Sequence, residues 1–251
     1  MTKTKSTVLP LMPLRDMAPQ PGTTLPMFVG RERSKNAVRA AVAAKSPILL
    51  VSQKSIAVEN ATPDDLYGVG ILGELNQVIE HPDGTIRIVV TSKSRVRLRN
   101  ISPLLSGEGP GVRSDHLTAE FDEIKPEPAS ADVAKAAKSA VKSFGAYCKA
   151  REDDMLAEQR KLLGRVNEIQ NQIQALRAAS DSVGKLADPN SLADLIPGCI
   201  HTQVQPEKLS DPDTVKFLDS RVRSKQAILS EPDPARRLQL LARFIEDETR
   251  K

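Results

Sequence analysis

The sequence predicts an α+β fold in which a mainly antiparallel β-lobe precedes an all-helical bundle. Residues 69–100 read as a long β-hairpin closed by a Pro82-Asp83-Gly84 turn, and apolar and charged side chains alternate along its second arm, which is the pattern of a half-buried strand. After residue 125, apolar residues recur every three or four positions, as they do on one face of a helix. We therefore expect two domains, residues 1–125 and residues 126–251, which suits a chain of 251 residues.

Composition and charge exclude several classes of protein. Aromatic residues make up 3% of the chain, so the core has to be built from aliphatic side chains. The net charge of +4 is shared between the two halves and gives little general attraction for nucleic acid or membranes. No apolar run approaches the ~20 residues of a membrane span, and we expect a cytoplasmic protein with no membrane partner. Cys148 and Cys199 lie far apart and predict neither a disulfide framework nor a metal site.

The first half of the β-lobe contains four predicted elements. Residues 8–14 are apolar and hold two prolines, which predicts a strand at the edge of the sheet. Residues 25–29 form a second short strand, and a helix rich in Ala, Lys and Arg follows at 31–44. Residues 48–51 are an uninterrupted apolar run, typical of a strand buried on both faces.

The second arm of the hairpin has an apolar face and a cationic face. Apolar residues occupy even positions from Ile86 to Leu98, so they should face the core. The odd positions carry the cationic residues Lys93, Arg95, Arg97 and Arg99. This row could follow a phosphate backbone, but no aromatic residue lies between the cations to stack on bases, and a solvated face is favoured. A Gly- and Ser-rich loop at 102–111 and a last strand at 117–124 should follow.

Five helices are expected in the second half, at 130–150, 155–177, 191–200, 213–229 and 234–248. The second of them carries apolar residues at alternating intervals of four and three, as along a coiled-coil seam. These residues are Leu162, Val166, Ile169, Ile173 and Leu176. Because the seam is short, packing inside the bundle is favoured over self-association through this helix, although an oligomer remains an alternative.

No motif predicts catalysis. Residues 68–73 satisfy the pattern GxGxxG, but they follow a polar turn and run into a strand, whereas a nucleotide-binding loop joins a strand to a helix. The neighbouring carboxylates at 64–65 and 152–154 suit turns and helix starts, and the three histidines stand outside any triad pattern. We expect no catalytic residue, no metal and no cofactor.

Several separated segments resemble the N-terminal, substrate-binding domain of the Lon proteases. The segments in the first half are 9–16 (LPLMPLRD), 25–31 (LPMFVGR), 48–54 (ILLVSQK), 63–67 (PDDLY) and 82–85 (PDGT). Weaker matches follow at 192–196, 225–229 and 236–238. The resemblance covers nearly the whole chain and is thin between residues 152 and 184.

The resemblance implies a PUA-like β-lobe joined to a helical bundle, which binds unfolded or extended polypeptide and helps to hold a Lon hexamer together. It implies no chemistry, because the sequence has no phosphate-binding loop ending in Lys and Ser or Thr. The residues expected to contact or support substrate are Arg15, Met17, Leu25, Met27, Phe28 and Tyr67. Residues 17–21 (MAPQP) depart from the family, which commonly has an apolar run ending in Phe-Pro there.

Two other functions remain open at this point. One is an adaptor or inhibitor that docks on a complete Lon hexamer, which predicts co-purification with a Lon-type protease. The other is a PUA-like RNA-binding protein, which predicts RNA binding that depends on Arg95 and Arg97. An enzymatic function ranks behind both.

Overall fold

The computed structural model describes residues 8–106, 114–125, 131–161, 166–186, 188–200 and 211–250. Its strands are β1 (Val8–Leu14), β2 (Thr24–Val29), β3 (Ile48–Ser52), β4 (Val69–Glu80), β5 (Ile86–Ser106) and β6 (Ser114–Glu123). Its helices are α1 (Glu32–Ala44), α2 (Ala131–Lys161), α3 (Val166–Gly184), α4 (Pro189–Cys199), α5 (Pro212–Ser230) and α6 (Pro234–Thr249). No helix in these ranges is long and apolar enough to cross a membrane.

The six strands form one sheet in the order β2-β5-β4-β3-β1-β6, and β5 pairs with β6 as well. Strands β1, β3, β4, β5 and β6 therefore make a closed ring, while β2 pairs with β5 alone. Only β1 and β3 run parallel among these pairs. The predicted α+β fold with a mainly antiparallel sheet is confirmed.

The predicted hairpin is formed by β4 and β5. His81 N–H donates to the Thr85 carbonyl over 2.9 Å, and Gly84 adopts a φ of +80°, a value that glycine reaches without strain. The even residues Ile86, Ile88 and Val90 are fully buried, as the alternation predicts.

Two of the three glycines of the GxGxxG segment, Gly70 and Gly73, lie in β4 and serve close packing of strands. A Cβ atom at Gly70 would stand 2.7 Å from the Leu50 carbonyl oxygen, and one at Gly73 would stand 2.8 Å from Val90. Since both glycines are needed for this contact with neighbouring strands, the segment has a structural role and no adjoining helix start.

Strand β1 is not the edge strand that its prolines predict. Its first half pairs with β6, from Val8 to Leu11, and its second half pairs with β3, from Leu11 to Leu14. Pro10 and Pro13 therefore each lie where the strand is paired on one side, so the missing N–H of either proline can face the unpaired side. The predicted loop at 102–111 is also wrong in its first part, because β5 continues to Ser106. Residues 107–111 lie outside the described part.

Two compact units divide the chain. The first contains the sheet and α1 together with residues 212–229 of α5, and the second contains α2, α3, α4 and α6. Helix α5 joins the first unit through polar contacts: Asp219 accepts from Ser55 Oγ and Ile56 N–H, and Gln226 Nε2 donates to the Val69 carbonyl over 2.7 Å. The sequence predicts this helix in the helical bundle, and the division of the chain at residue 125 stays a prediction.

In the second unit, the break between the first two predicted helices is misplaced. Helix α2 runs to Lys161 and α3 starts at Val166, because residues 151–154 contain no helix-breaking residue. Ile169 and Ile173 are buried and Leu176 is half-buried; Leu162 lies outside the described residues, as does the side chain of Val166. Asp233 accepts hydrogen bonds from Ala235 and Arg236 at the start of α6, as its capping position predicts.

Candidate binding surface

Strand β2 presents the most exposed large apolar side chain among the described residues. Leu25, Met27 and Val29 face the core, whereas Pro26 and Phe28 face outward, so the period of two in this strand separates the two sets. Phe28 is 73% exposed. A single exposed apolar residue is common on folded proteins, whereas a contiguous apolar patch marks a contact surface, so the neighbours of Phe28 decide what its exposure means.

The exposed ring belongs to a row that crosses three strands. Phe28 pairs with Arg87 of β5, and Arg87 pairs with Ile79 of β4, which is also exposed. The ring of His81 lies 6.2 Å from the Phe28 ring, measured between centroids. We call these four residues the Phe28 row. It combines two apolar side chains with one permanent cation and one histidine.

The residues predicted to contact or support substrate fall into two groups. Leu25, Met27 and Phe28 are on β2, where Met27 is buried in the core and only Phe28 is open to solvent. The second group surrounds the end of β3: Ser52 Oγ donates to the Met17 carbonyl over 2.9 Å, and Tyr67 N–H donates to the Ser52 carbonyl.

Arg15 belongs with the second group but reaches a different loop. Its guanidinium donates to the Ile56 carbonyl from Nε over 2.9 Å and from Nη2 over 2.5 Å. Both Met17 and Tyr67 are half-buried. These contacts support the loops that leave β1 and β3, and a direct contact of any of the six residues with a ligand stays a prediction.

Arg31 and Lys35 hold α1 against the sheet. Arg31 donates to the Pro13 carbonyl and to Gln53 Oε1, each over 2.7 Å, and burial together with the nearby Arg15 lowers the Arg31 pKa below its ordinary value. Lys35 Nζ donates to the Gly84 carbonyl over 2.9 Å at the hairpin turn. Lys35 therefore ties α1 to the tip of the hairpin, and Arg31 ties the start of α1 to β1 and to the residue that follows β3.

Arg39 and Glu80 add an ion pair between α1 and the end of β4, with Nε 2.9 Å from Oε1. The hydrogen bond from Arg39 lowers the pKa of the Glu80 carboxyl, so the pair stays charged well below neutral pH. Because both side chains are exposed, the pair orients the two elements more than it stabilises them.

A cavity of about 620 Å³ lies between the end of α1 and the second half of β4. It is lined by residues from three segments, 41–47, 72–78 and Lys93. Sequence reasoning missed this cavity, because its existence depends on where β3 begins relative to β4: the last pair between them is Ile48 with Gly73.

The predicted cationic row is broken up in the folded chain. Arg95 is buried and its Nη1 donates to the Leu229 carbonyl of α5, because this part of the sheet is covered by that helix. Lys93 Nζ lies 2.6 Å from a Glu74 carboxylate oxygen, and Arg99 pairs with Asp122. Arg97 remains exposed. The four side chains therefore do not present one continuous basic surface.

The described residues also include no group of three or more His, Cys, Asp or Glu side chains that could hold a metal ion. Burial raises the pKa of the Cys148 thiol to about 11, which keeps that thiol protonated and unreactive at neutral pH. An exposed aromatic row beside a strand that is paired on one side only, as β2 is, is typical of a domain that binds a partner.

Comparisons with known proteins agree with that class and specify it. The ATP-dependent protease La (LON) substrate-binding domain model matches residues 8–247, and the chain belongs to this family. Lon protease 3 of Sorangium cellulosum is 29% identical over 243 residues, which are 96% of this chain and 24% of that protein. Lon protease 1 of Thermus thermophilus is 40% identical over 106 residues, which are 41% of this chain and 13% of that protein.

A solved structure supports the fold. The N-terminal domain of the Mycobacterium avium complex Lon protease aligns with a TM-score of 0.57 at 18% identity, over 96% of this chain and 99% of that one. The chain spans about a quarter of the length of the first of the two full-length relatives and about an eighth of the second.

Proposed function

We propose that this chain binds unfolded or extended polypeptide through the apolar part of its sheet, centred on Phe28, and that it does so in the context of a Lon-type ATP-dependent protease. The observation that carries the proposal is the 73% exposure of Phe28 on a strand whose outer edge has no partner among the described strands. The description of the matched family as a substrate-binding domain supports the same function.

Physical chemistry favours an extended apolar partner over a folded one. Covering an exposed aromatic ring with apolar side chains lowers the free energy of the complex. Unfolded chains expose such side chains, whereas folded chains bury most of them. Arg87 beside Phe28 can donate hydrogen bonds to carbonyl groups of such a chain, since its guanidinium carries five N–H donors and is exposed.

Binding to unfolded protein is tested with fluorescein-labelled α-lactalbumin that has been reduced and carboxymethylated, and with native α-lactalbumin as the control. The proposal predicts saturable binding of the unfolded form, measured by fluorescence anisotropy, and no binding of the native form. Equal binding of both forms, or of neither, would refute it.

The same assay separates the alternatives. A labelled single-stranded RNA that binds more tightly than the unfolded protein, with affinity falling steeply as salt rises, would favour an RNA-binding function. A stable complex with a purified full-length Lon protease, in the absence of any unfolded protein, would favour an adaptor or inhibitor. Self-association is measured by sedimentation of the chain alone.

A further inference from the structure

The second half of β4 has an edge with no partner strand, and the hydrogen bonds of β2 and β5 show which backbone groups of β4 point toward that edge. Just before β2 begins, Gly22 N–H donates to the Ser92 carbonyl and Ser92 N–H donates to the Thr23 carbonyl. The backbone N–H and C=O groups of successive residues point alternately to the two sides of a strand. Those of Val90, Ile88 and Ile86 in β5 therefore point toward β2, as those of Ser92 do. Pro26 of β2, which has no N–H, pairs with Val89 and fits this assignment.

The backbone N–H and C=O groups of the odd residues of β5 point toward β4. Arg87 and Val89 therefore exchange hydrogen bonds with their register partners, Ile79 and Gln77. The bond from His81 N–H to the Thr85 carbonyl, one step along the same alternation, agrees with this direction. It follows that the N–H and C=O groups of Val78 and Glu80 point away from β5, toward an edge that no described strand occupies beyond Gly73.

This edge borders the cavity beside α1. The partly buried side chains of Leu75 and Val78 pack against the core on one side of the strand, and the 48% exposed side chain of Val42 lines the cavity from α1. Strand β2 offers a poorer edge, since Pro26 removes a donor from its open side. Of the described strands, β4 thus combines unpaired backbone groups with a cavity lined by both apolar and polar side chains.

We infer that an extended polypeptide segment adds to the edge of β4 as an antiparallel or parallel strand, exchanging hydrogen bonds with Val78 and Glu80 and placing alternate apolar side chains in the cavity beside Val42. The inference rests on the proposed function and names where and how the polypeptide is held. Backbone groups give affinity in this mode of recognition, and side-chain pockets give a preference for alternating apolar residues.

Charge at the cavity specifies the segment further. Lys93 is paired with Glu74, whereas Lys45, exposed at the end of α1, has no carboxylate partner among the described residues. A segment with an acidic residue next to its apolar positions complements Lys45. A nucleic acid has no alternating N–H and C=O groups and so cannot make this ladder of hydrogen bonds with β4. A second copy of the chain could pair its β4 with this β4, and the result would be a dimer.

The experiment uses a fluorescein-labelled peptide of alternating Val and Ser residues that ends in Glu. Two matched versions carry N-methyl groups at alternate peptide nitrogens, one set on each edge of the extended peptide. One methylated peptide should bind at least about tenfold more weakly than the unmodified peptide, and the other should bind as well as the unmodified one, because one edge of the peptide faces β4. Replacing its Glu with Lys should weaken binding at low salt, and this difference should shrink at high salt.

On the protein side, Val78→Pro removes one N–H from the open edge and Val78→Thr keeps it with a similar side-chain shape. We expect weaker peptide binding for Val78→Pro and near-normal binding for Val78→Thr. The methylated peptides decide the matter should Val78→Pro fail to fold. Equal binding of both methylated peptides, or no binding of the unmodified peptide while unfolded α-lactalbumin binds, would overturn the strand-addition inference and leave the proposed function intact. Failure to bind unfolded α-lactalbumin would overturn the proposed function itself. A peptide-free dimer that dissociates on Val78→Pro would assign the edge to a second copy of the chain.

Discussion

Phe28→Thr should abolish most of the binding to unfolded protein without loss of stability. Threonine is β-branched and suits a strand as phenylalanine does, and the substitution removes the aromatic ring. Phe28 has no role in the buried core, since its side chain is 73% exposed and its ring contact is with His81 at 6.2 Å. A surface substitution of this kind changes the free energy of unfolding by about 0.5 kcal/mol or less.

The loss of affinity can be worked from the exposed area. A phenylalanine side chain has about 200 Å² of surface, and 73% exposure leaves about 150 Å² that a ligand can cover. Covering half of that area stabilises the complex by about 2 kcal/mol at ~25 cal/mol per Å². The substitution should therefore raise the dissociation constant about 30-fold.

The assay is fluorescence anisotropy with reduced, carboxymethylated α-lactalbumin, with urea unfolding as the check on stability. Leu104→Thr is the matched control, because Leu104 is another exposed apolar residue of the sheet and lies outside the Phe28 row. Its affinity should match that of the wild type. A Phe28→Thr chain that is fully folded and binds as well as the wild type would contradict a role of Phe28 in binding, and so would an equal loss of affinity in the Leu104→Thr chain.

Three further predictions concern packing, capping and thiol reactivity. Gly70→Ala should destabilise the chain by about 1–3 kcal/mol in urea unfolding, because the added Cβ would stand 2.7 Å from the Leu50 carbonyl oxygen. The control is Gly68→Ala, whose Cβ would meet no atom within 4 Å, and it should leave stability unchanged or slightly raised. Hydrogen bonds from Ser191 and Asn190 hold the pKa of Asp188 below its ordinary 3.8. The cap that Asp188 makes on α4 therefore stabilises the fold at neutral pH, and this stabilisation is lost as pH falls through the lowered pKa. Asp188→Asn should flatten this part of the acid denaturation curve, and an unchanged curve would contradict the cap. At pH 8, Ellman's reagent should label Cys199 before Cys148, because a pKa of about 11 gives Cys148 about 100-fold less thiolate than a thiol with a pKa of 9.0. The Cys199→Ser chain should therefore react slowly until urea is added.

The strands could be predicted from the sequence because side chains reveal which face of a strand is buried. Residues 25–29 alternate in this way, and the exposed position of Phe28 follows from its place between the core-facing Met27 and Val29. The hairpin turn could be predicted from Pro82 and Gly84 for the same local reason. Helix α6 likewise starts where Asp233 and Pro234 predict.

Pairing between strands could not be predicted, since it depends on contacts distant in sequence. The prolines of β1 indicate an edge, yet the strand lies between β3 and β6 with each proline next to an unpaired side. Arg95 looks exposed by alternation, but α5, more than 100 residues away in sequence, covers it and accepts its hydrogen bond. The cavity and the open edge of β4 depend on the same long-range register.

We propose, in short, that the sheet binds extended polypeptide along β2 and β4. Hydrogen–deuterium exchange of the chain, with and without reduced, carboxymethylated α-lactalbumin, tests it most directly. We expect slower exchange on binding in residues 75–80, whose outward amides lack a partner among the described strands, and a solvent-shielded Phe28 in parallel side-chain labelling. Protection confined to the second unit, or to the segment around Arg97, would contradict the claim.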